Sequence, residues 1–331
     1  MASMRAAVAE RPDGPDGLVV REVPRPEPRA GWALVKVEAF GLNRSEYMTL
    51  RGWSGDEVRF PRILGIECTG TVAAVAAGSA FAPGETVAAV MGGMGRSFDG
   101  GYAEYALLPE RQLMRLETHL AWDVLGALPE TFITAAGSLE TLGLTAGATL
   151  LVRGATSSVG LACLELARAA GLQVVATTRS EAKIPALRAR GADTVVMEGD
   201  GFGERAAAEL PEAPHGVVDL IGARAVLESL ALVRRGGTVC NSGLLGGAWV
   251  IDDFEPIGHM PSGHKLVAYH SDEASDARHG LALLQPVVEQ VERGVVDPGI
   301  DTVYALDEIA EAHRRMAAGA ATGKLVVLTG R

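Results

Sequence analysis

From about residue 123 the chain alternates short apolar runs with amphipathic stretches of helical spacing. The runs fall at 150–152, 174–177, 194–197, 216–220, 238–241 and 266–269, the pattern of strands covered on both faces. Helices are predicted between them, at 182–190 and 223–233 among others, and then at 280–293 and from 307, before a tail strand at 324–328. This alternation predicts a doubly wound parallel sheet. Residues 4–122 follow a different grammar. Short strands at 5–8, 18–23 and 33–39 are split by Pro- and Gly-rich turns, a loop with a helical turn covers 41–52, and strands return within 61–75 and 81–90. Gly92, Gly93, Gly95, Gly100 and Gly101 predict a mobile loop before a strand at 102–107. There is no internal repeat and no low-complexity linker.

The most informative unit is the strand at 149–152, the turn from Gly154 to Gly160, a helix with Val159, Cys163, Leu166 and Ala170 on its buried face, and a second strand at 174–177. Gly171 ends the helix as a C-terminal cap. A dinucleotide pyrophosphate would meet the unpaired N–H groups of the helix N-terminus at such a turn. Gly154, Ser157 and Gly160 have the fingerprint spacing with serine in the middle, where it still admits a phosphate and adds a hydroxyl donor. A packing turn in another α/β protein is the alternative. At the tip of the second strand stand Thr178, Arg179 and Ser180, with Lys183 one turn on and no acid at the tip itself to hold a ribose 2′-hydroxyl. Glu181 follows in the same turn, and solvation of a helix start by the two cations is the alternative. That tip favours a 2′-phosphate and so NADP(H).

Length and composition bound this picture. With 331 residues there is room for two cores, and 48% hydrophobic residues with 41 glycines fit an α/β protein. A net charge of −11 argues against nucleic acid as a partner. Cys68, Cys163 and Cys240 lie too far apart for a disulfide framework or a thiolate metal cluster. No apolar stretch approaches a membrane span and Met1–Arg5 lacks a signal core, so no membrane partner is expected and the cytoplasm is the default compartment.

Taken together, Gly41-Leu42-Asn43 with Glu46, Leu64-Gly65-Ile66-Glu67 with Gly70, Pro83-Gly84 with Val87, Gly100-Gly101-Tyr102-Ala103-Glu104, Phe132-Ile133-Thr134-Ala135, the Gly154–Gly160 turn and Gly323-Lys324 carry a resemblance. Over nearly its full length the chain resembles the zinc-independent quinone oxidoreductase branch of the medium-chain dehydrogenase/reductase family. The resemblance implies a GroES-like β domain from residues 1–122 and 271–331 around an inserted Rossmann domain, 123–270, that binds NADP(H). Zinc-dependent relatives carry Cys where this chain has Asn43 and His where it has Ile66, and neither replacement is a usual zinc ligand, so no metal is expected.

Without a Lewis acid, the chemistry left is hydride transfer to an acceptor already electrophilic, a quinone or a conjugated carbonyl. The resemblance implies Asn43, Tyr47 and Thr134 near the nicotinamide, Trp53 at the pocket or its mouth, and Ser242, Gly243 and Leu244 along the nicotinamide half. It also implies Ser157, Ser158, Val159 and Gly160 at the pyrophosphate, Arg179 and Lys183 at the 2′-phosphate, and Lys324 reaching the cofactor phosphates. Tyr47 as a packing tyrosine and Lys324 as a surface residue are the alternatives. Ser54 stands where related enoyl-thioester reductases carry a tyrosine. C=C reduction of an enone or enoyl thioester, biosynthetic or otherwise, and non-catalytic NADPH binding stay open beside quinone reduction. The strand at 265–270 is expected at a sheet edge, where relatives pair, and predicts a homodimer. His270, at its end, is a solvent or interface residue.

Overall fold

The computed structural model describes residues 2–210 and 212–331. The chain forms two compact units. The first comprises the residues up to Ile133 with Ser271–Gly294 and Pro298–Arg331, and the second Thr134–His270 with Val295–Asp297. The boundary that the hydrophobic pattern puts at 122 lies at Ile133, inside a helix, where no change of period marks it.

In chain order the first stretch holds β1 (Ser3–Ala9), β2 (Leu18–Pro24), β3 (Trp32–Gly41), α1 (Arg44–Leu50), β4 (Arg62–Ile63), β5 (Glu67–Val75), β6 (Thr86–Val90), β7 (Tyr105–Pro109), β8 (Met114–Arg115), α2 (Trp122–Leu125) and α3 (Pro129–Leu142). There follow β9 (Thr149–Arg153), α4 (Ser158–Ala169), β10 (Gln173–Thr178), α5 (Ile184–Ala189), β11 (Thr194–Met197), α6 (Phe202–Glu209), β12 (Gly216–Asp219), α7 (Val226–Leu232), β13 (Thr238–Asn241), α8 (Pro256–His259) and β14 (Lys265–Ala268). The last stretch holds α9 (Ala277–Glu292), β15 (Ile300–Ala305), α10 (Ile309–Ala317) and β16 (Lys324–Leu328).

The first unit is built on two sheets, β2-β1-β4 and β15-β16-β3-β5-β6-β8, with β7 added to β3. β16 lies antiparallel to β3, with Val326 opposite Gly41, and parallel to β15, so the tail fills an interior place in the sheet. The glycines expected to loosen residues 92–101 have a different cause at three positions. A methyl on Gly100 would stand 2.1 Å from the Gly65 carbonyl oxygen, one on Gly101 2.3 Å from that of Glu67, and one on Gly95 2.8 Å from that of Gly65. These residues are glycine because backbone lies on backbone there.

The second unit is a six-stranded parallel sheet in the order β11-β10-β9-β12-β13-β14, the doubly wound order that the alternation predicts. β9 is buried at every residue, as a central strand covered on both faces requires. α4 starts on Ser157, whose hydroxyl accepts from Gly160 N–H at 3.1 Å. It ends with Gly171 N–H donating to Arg168 and Leu172 N–H to Ala167, the paired bonds of a Schellman cap, with Gly171 at φ 72°.

Candidate functional site

In the second unit, candidate residues converge at the carboxyl ends of β9, β10, β12 and β13, where the strand order reverses between β9 and β12. Ligands bind at such a reversal because the loops on its two sides turn away in opposite directions. Gly154, at φ 78°, opens the turn, and its N–H donates to Thr177 Oγ1 at 3.2 Å, tying β9 to β10. The Ser157 hydroxyl donates to the Gly154 carbonyl at 2.8 Å while capping α4, so its proton is spent inside the turn. The extra donor expected of Ser157 is therefore not offered outward. By helix geometry the N–H groups of Ser158 and Val159 remain to face an anion.

At the tip of β10 Thr178 is buried, its hydroxyl accepting from Ser180 N–H at 3.1 Å and donating to the Ser180 carbonyl at 3.3 Å. Thr178 therefore shapes the tip rather than supplying a free hydroxyl, and Arg179, exposed, and Lys183, half-buried, are its cations. Ser242 N–H donates to Asp219 O, Leu245 N–H to Leu220 O and Gly246 N–H to Ile221 O, which zips the loop after β13 onto the loop after β12. Gly243 has to be glycine, since a methyl there would stand 2.5 Å from Leu220 O. The Ser242 hydroxyl turns to Ser138 Oγ of α3 at 2.7 Å. Thr134 lies one turn earlier on that helix, buried.

Two groups beneath this surface escaped the sequence reading. Arg153, 2% exposed, forms ion pairs with Glu198 at 2.7 Å and Glu228 at 2.9 Å, donates to Ser229 Oγ, and lies over the Phe202 ring. Asp219 accepts from the N–H groups of Ile221 and Gly222, each at 2.9 Å, and from Ser229 Oγ at 2.6 Å, which fixes the loop after β12. Asp219-Leu220-Ile221-Gly222 directly after an apolar strand was a readable signal for that turn. An arginine ending an apolar strand carries no such signal.

In the first unit Asn43 caps α1 and Tyr47 follows one turn later on the same side of the helix. Both are half-buried, and the Arg44 guanidinium lies 5.4 Å from the centre of the Tyr47 ring. Asn43 N–H donates to Glu46 Oε2 at 3.0 Å, and Ile66 N–H to Glu46 Oε1 at 3.0 Å. The Asn43 amide nitrogen donates to Glu67 Oε1 at 2.8 Å, and Glu67 Oε2 accepts from Glu130 N–H at 2.9 Å. Trp53 is 54% exposed, over the turn that follows α1, and His270 is exposed beyond the end of β14.

Lys324 departs from its expected role. Its ammonium is sealed in, 1% exposed, donating to Asn43 Oδ1 at 2.6 Å and to Glu67 Oε1 at 2.8 Å. A cation so placed cannot reach cofactor phosphates, because the carboxylate that holds it is equally buried. Burial also pushes the Glu46 carboxyl up to about 7 and the Glu130 carboxyl up to about 8. Glu130 Oε1 accepts from Ser271 Oγ at 2.7 Å. One lysine thus faces the buried carboxyl groups of Glu46 and Glu67 and the half-buried one of Glu130, and that imbalance favours the protonated forms of Glu46 and Glu130.

Comparison with known proteins extends this picture. Residues 29–118 match the alcohol dehydrogenase GroES-like domain family and residues 190–327 the zinc-binding dehydrogenase family. The quinone oxidoreductase of Homo sapiens is 28% identical over 333 residues, covering 98% of either chain. YhfP of Bacillus subtilis strain 168, whose name assigns it provisionally to the quinone oxidoreductases, is 32% identical over 223 residues, 66% of this chain and 67% of its own. The structure of the quinone oxidoreductase from Coxiella burnetii superposes with a TM-score of 0.85 at 21% identity, over 99% of this chain and 100% of the other, a likeness of fold. With a GroES-like unit, a Rossmann unit and relatives that span the whole chain, this oxidoreductase belongs to the medium-chain dehydrogenase/reductase family, in its quinone oxidoreductase-like branch.

Proposed function

We propose that the protein is an NADPH-dependent, zinc-free reductase that transfers hydride to a quinone or another conjugated carbonyl, with the first unit bearing the reacting groups and the second the cofactor. The observation that carries the zinc-free reading is the Lys324 ammonium bonded to Asn43, the residue that stands where zinc-dependent relatives place a cysteine ligand. An amide oxygen already holding one cation does not recruit a second, and Ile66 offers no ligand atom. The donor set of the second unit fits a dinucleotide phosphate. It combines the first-turn N–H groups of α4, the Ser158 hydroxyl, and Arg179 with Lys183 for a 2′-phosphate. When bound, the nicotinamide supplies the hydride.

The chain's own contribution is orientation and exclusion of alternatives. Asn43 presents an amide of fixed direction, Tyr47 a phenol one turn away, and Gly243 the close backbone approach that seats the loop after β13. A quinone needs no strong acid from the protein, since the reduced oxygens take protons from water. The reading extends to a homodimer joined at the β14 edge, and to the cytoplasm.

The test is anaerobic nucleotide oxidation by chelator-treated protein with a small quinone, a conjugated enone and an enoyl thioester in parallel, using NADPH and NADH. Quinone turnover that survives the chelator and prefers NADPH is expected. Turnover restored only by added zinc overturns the zinc-free reading. Tight NADPH binding without turnover of any acceptor overturns the enzyme reading in favour of a binding protein.

A further inference from the structure

Gly41, Asn43, Glu67 and Lys324 form one device although they come from β3, the cap of α1, β5 and β16. Lys324 Nζ donates to Asn43 Oδ1 and Glu67 Oε1, and Asn43 Nδ2 donates to the same Glu67 oxygen, so the three side chains close a ring of hydrogen bonds at 2.6, 2.8 and 2.8 Å. The ring determines which way round the amide sits. Oδ1 must face the ammonium and Nδ2 the carboxylate, because the reversed amide would set N–H against ammonium and oxygen against carboxylate. Gly41 leaves the passage through which the lysine arrives. A methyl on Gly41 would stand 2.1 Å from Lys324 Cε, 2.7 Å from Glu67 Oε1 and 2.8 Å from Lys324 Nζ.

We propose that Lys324 is a positioning residue that locks the amide of Asn43 in a single orientation, and that Gly41 is glycine so that Lys324 can reach it. Asn43 then offers its partner the second lone pair of Oδ1, an acceptor suited to a hydroxyl of the nucleotide or substrate. Its second N–H has only long contacts, 3.4 Å to Glu46 Oε1 and 3.5 Å to Gly41 O. That Asn43 touches the reacting pair rests on the hydride-transfer reading above, whereas the orientation of its amide does not.

The experiment therefore has two readouts. In ¹⁵N-labelled protein the Asn43 side-chain amide gives two proton signals, one of them shifted by the carboxylate of Glu67. K324M and the charge-balanced K324M/E67Q are expected to shift and broaden both signals as the amide becomes free to turn. K324M alone strands a buried carboxylate, so K324M/E67Q is the variant expected to fold in any case. In turnover, kcat is expected to fall about tenfold in K324M/E67Q while KM changes less than threefold, the pattern of a lost orientation rather than lost binding. N43A is expected to lose as much, and N43A/K324M/E67Q no more than N43A alone. G41A should reproduce the signal changes by displacing the lysine.

Asn43 signals in K324M/E67Q that match the parent overturn the lock, and so do losses that add to those of N43A. A G41A protein with parental signals overturns the role given to Gly41. A parent protein that reduces no acceptor defeats the hydride-transfer reading instead, and the amide signals then decide the lock alone.

Discussion

Glu46 and His313, both buried, and Glu130, half-buried, are groups whose proton counts differ between the folded and unfolded chain, in opposite senses. Burial raises Glu46 to about 7 and Glu130 to about 8, and it lowers His313 to about 3. The His313 ring pairs with the Tyr102 hydroxyl at 3.0 Å. Below pH 6.5 the unfolded histidine binds a proton that the folded one refuses, so its contribution to stability rises with pH and is complete by about 6.5. The two carboxyls hold protons when folded that they release when unfolded, so their contribution is present at low pH and is lost through about 8. Between pH 6.5 and 8 only the carboxyls of this set act, and the unfolding free energy should decline. Urea titrations of E130Q across that window should show a shallower decline than the parent, and an unchanged slope would remove Glu130 from this account. Of these acids the sequence reading singled out Glu46, as a family position, and passed over Glu130. Their burial was not legible, because nothing in an acidic residue's neighbours reports that a lysine from the far end of the chain will lie against it.

At the level of elements, α4 shows how well local physics can be read. Its start and its glycine stop follow from spacing, and the structure supplies the cap bonds. Of the face expected to be buried, Cys163 and Leu166 are, whereas Val159 is half-buried and Ala170 exposed, because the sheet covers the whole run from Gly160 to Ala167 and the last turn projects beyond it. Replacing the cap, S157A, is expected to destabilise the protein by about 1 kcal/mol. Since the same hydroxyl ties back to Gly154 O, the substitution should also raise KM for the nicotinamide nucleotide several-fold. A stability loss with unaltered nucleotide affinity would separate the cap from the site. Elements without length were not legible. β8 has two residues and exists only because a neighbouring strand pairs with it, and the two residues of β4, which fall within the strand stretch expected at 61–75, could not be told apart from β5. At Gly95, Gly100 and Gly101 the sequence reading missed a second cause, because glycine signals freedom and close contact with the same letter. Only the distance from Gly100 to the Gly65 backbone separates the two.

At the scale of the whole molecule, the alternation of helix and strand was enough to foresee the parallel sheet, since each βαβ step is dictated locally. The first unit was foreseeable only by resemblance, because its larger sheet joins β3 to β16 across most of the chain. Among the described residues β14 ends the parallel sheet with an unpaired edge, and the segment before it leaves Trp249, Val250 and Ile257 largely in solvent. An edge beside exposed apolar side chains is a surface that another copy covers well. Sedimentation should give a dimer for the parent and a monomer for W249D/I257D, and a monomeric parent would discard this edge as an interface.

The interior place of β16 also sets an order of events while the chain is being made. Asn43 and Glu67 leave the ribosome long before Lys324, which follows Asn43 by 281 positions, and by then residues 134–270 are already complete. Until then the slot between β15 and β3 is open and the acids below it have no cation. A nascent chain halted before residue 324 would thus present a finished nucleotide half and an unfinished sheet, and quality-control proteases would have a segment to seize.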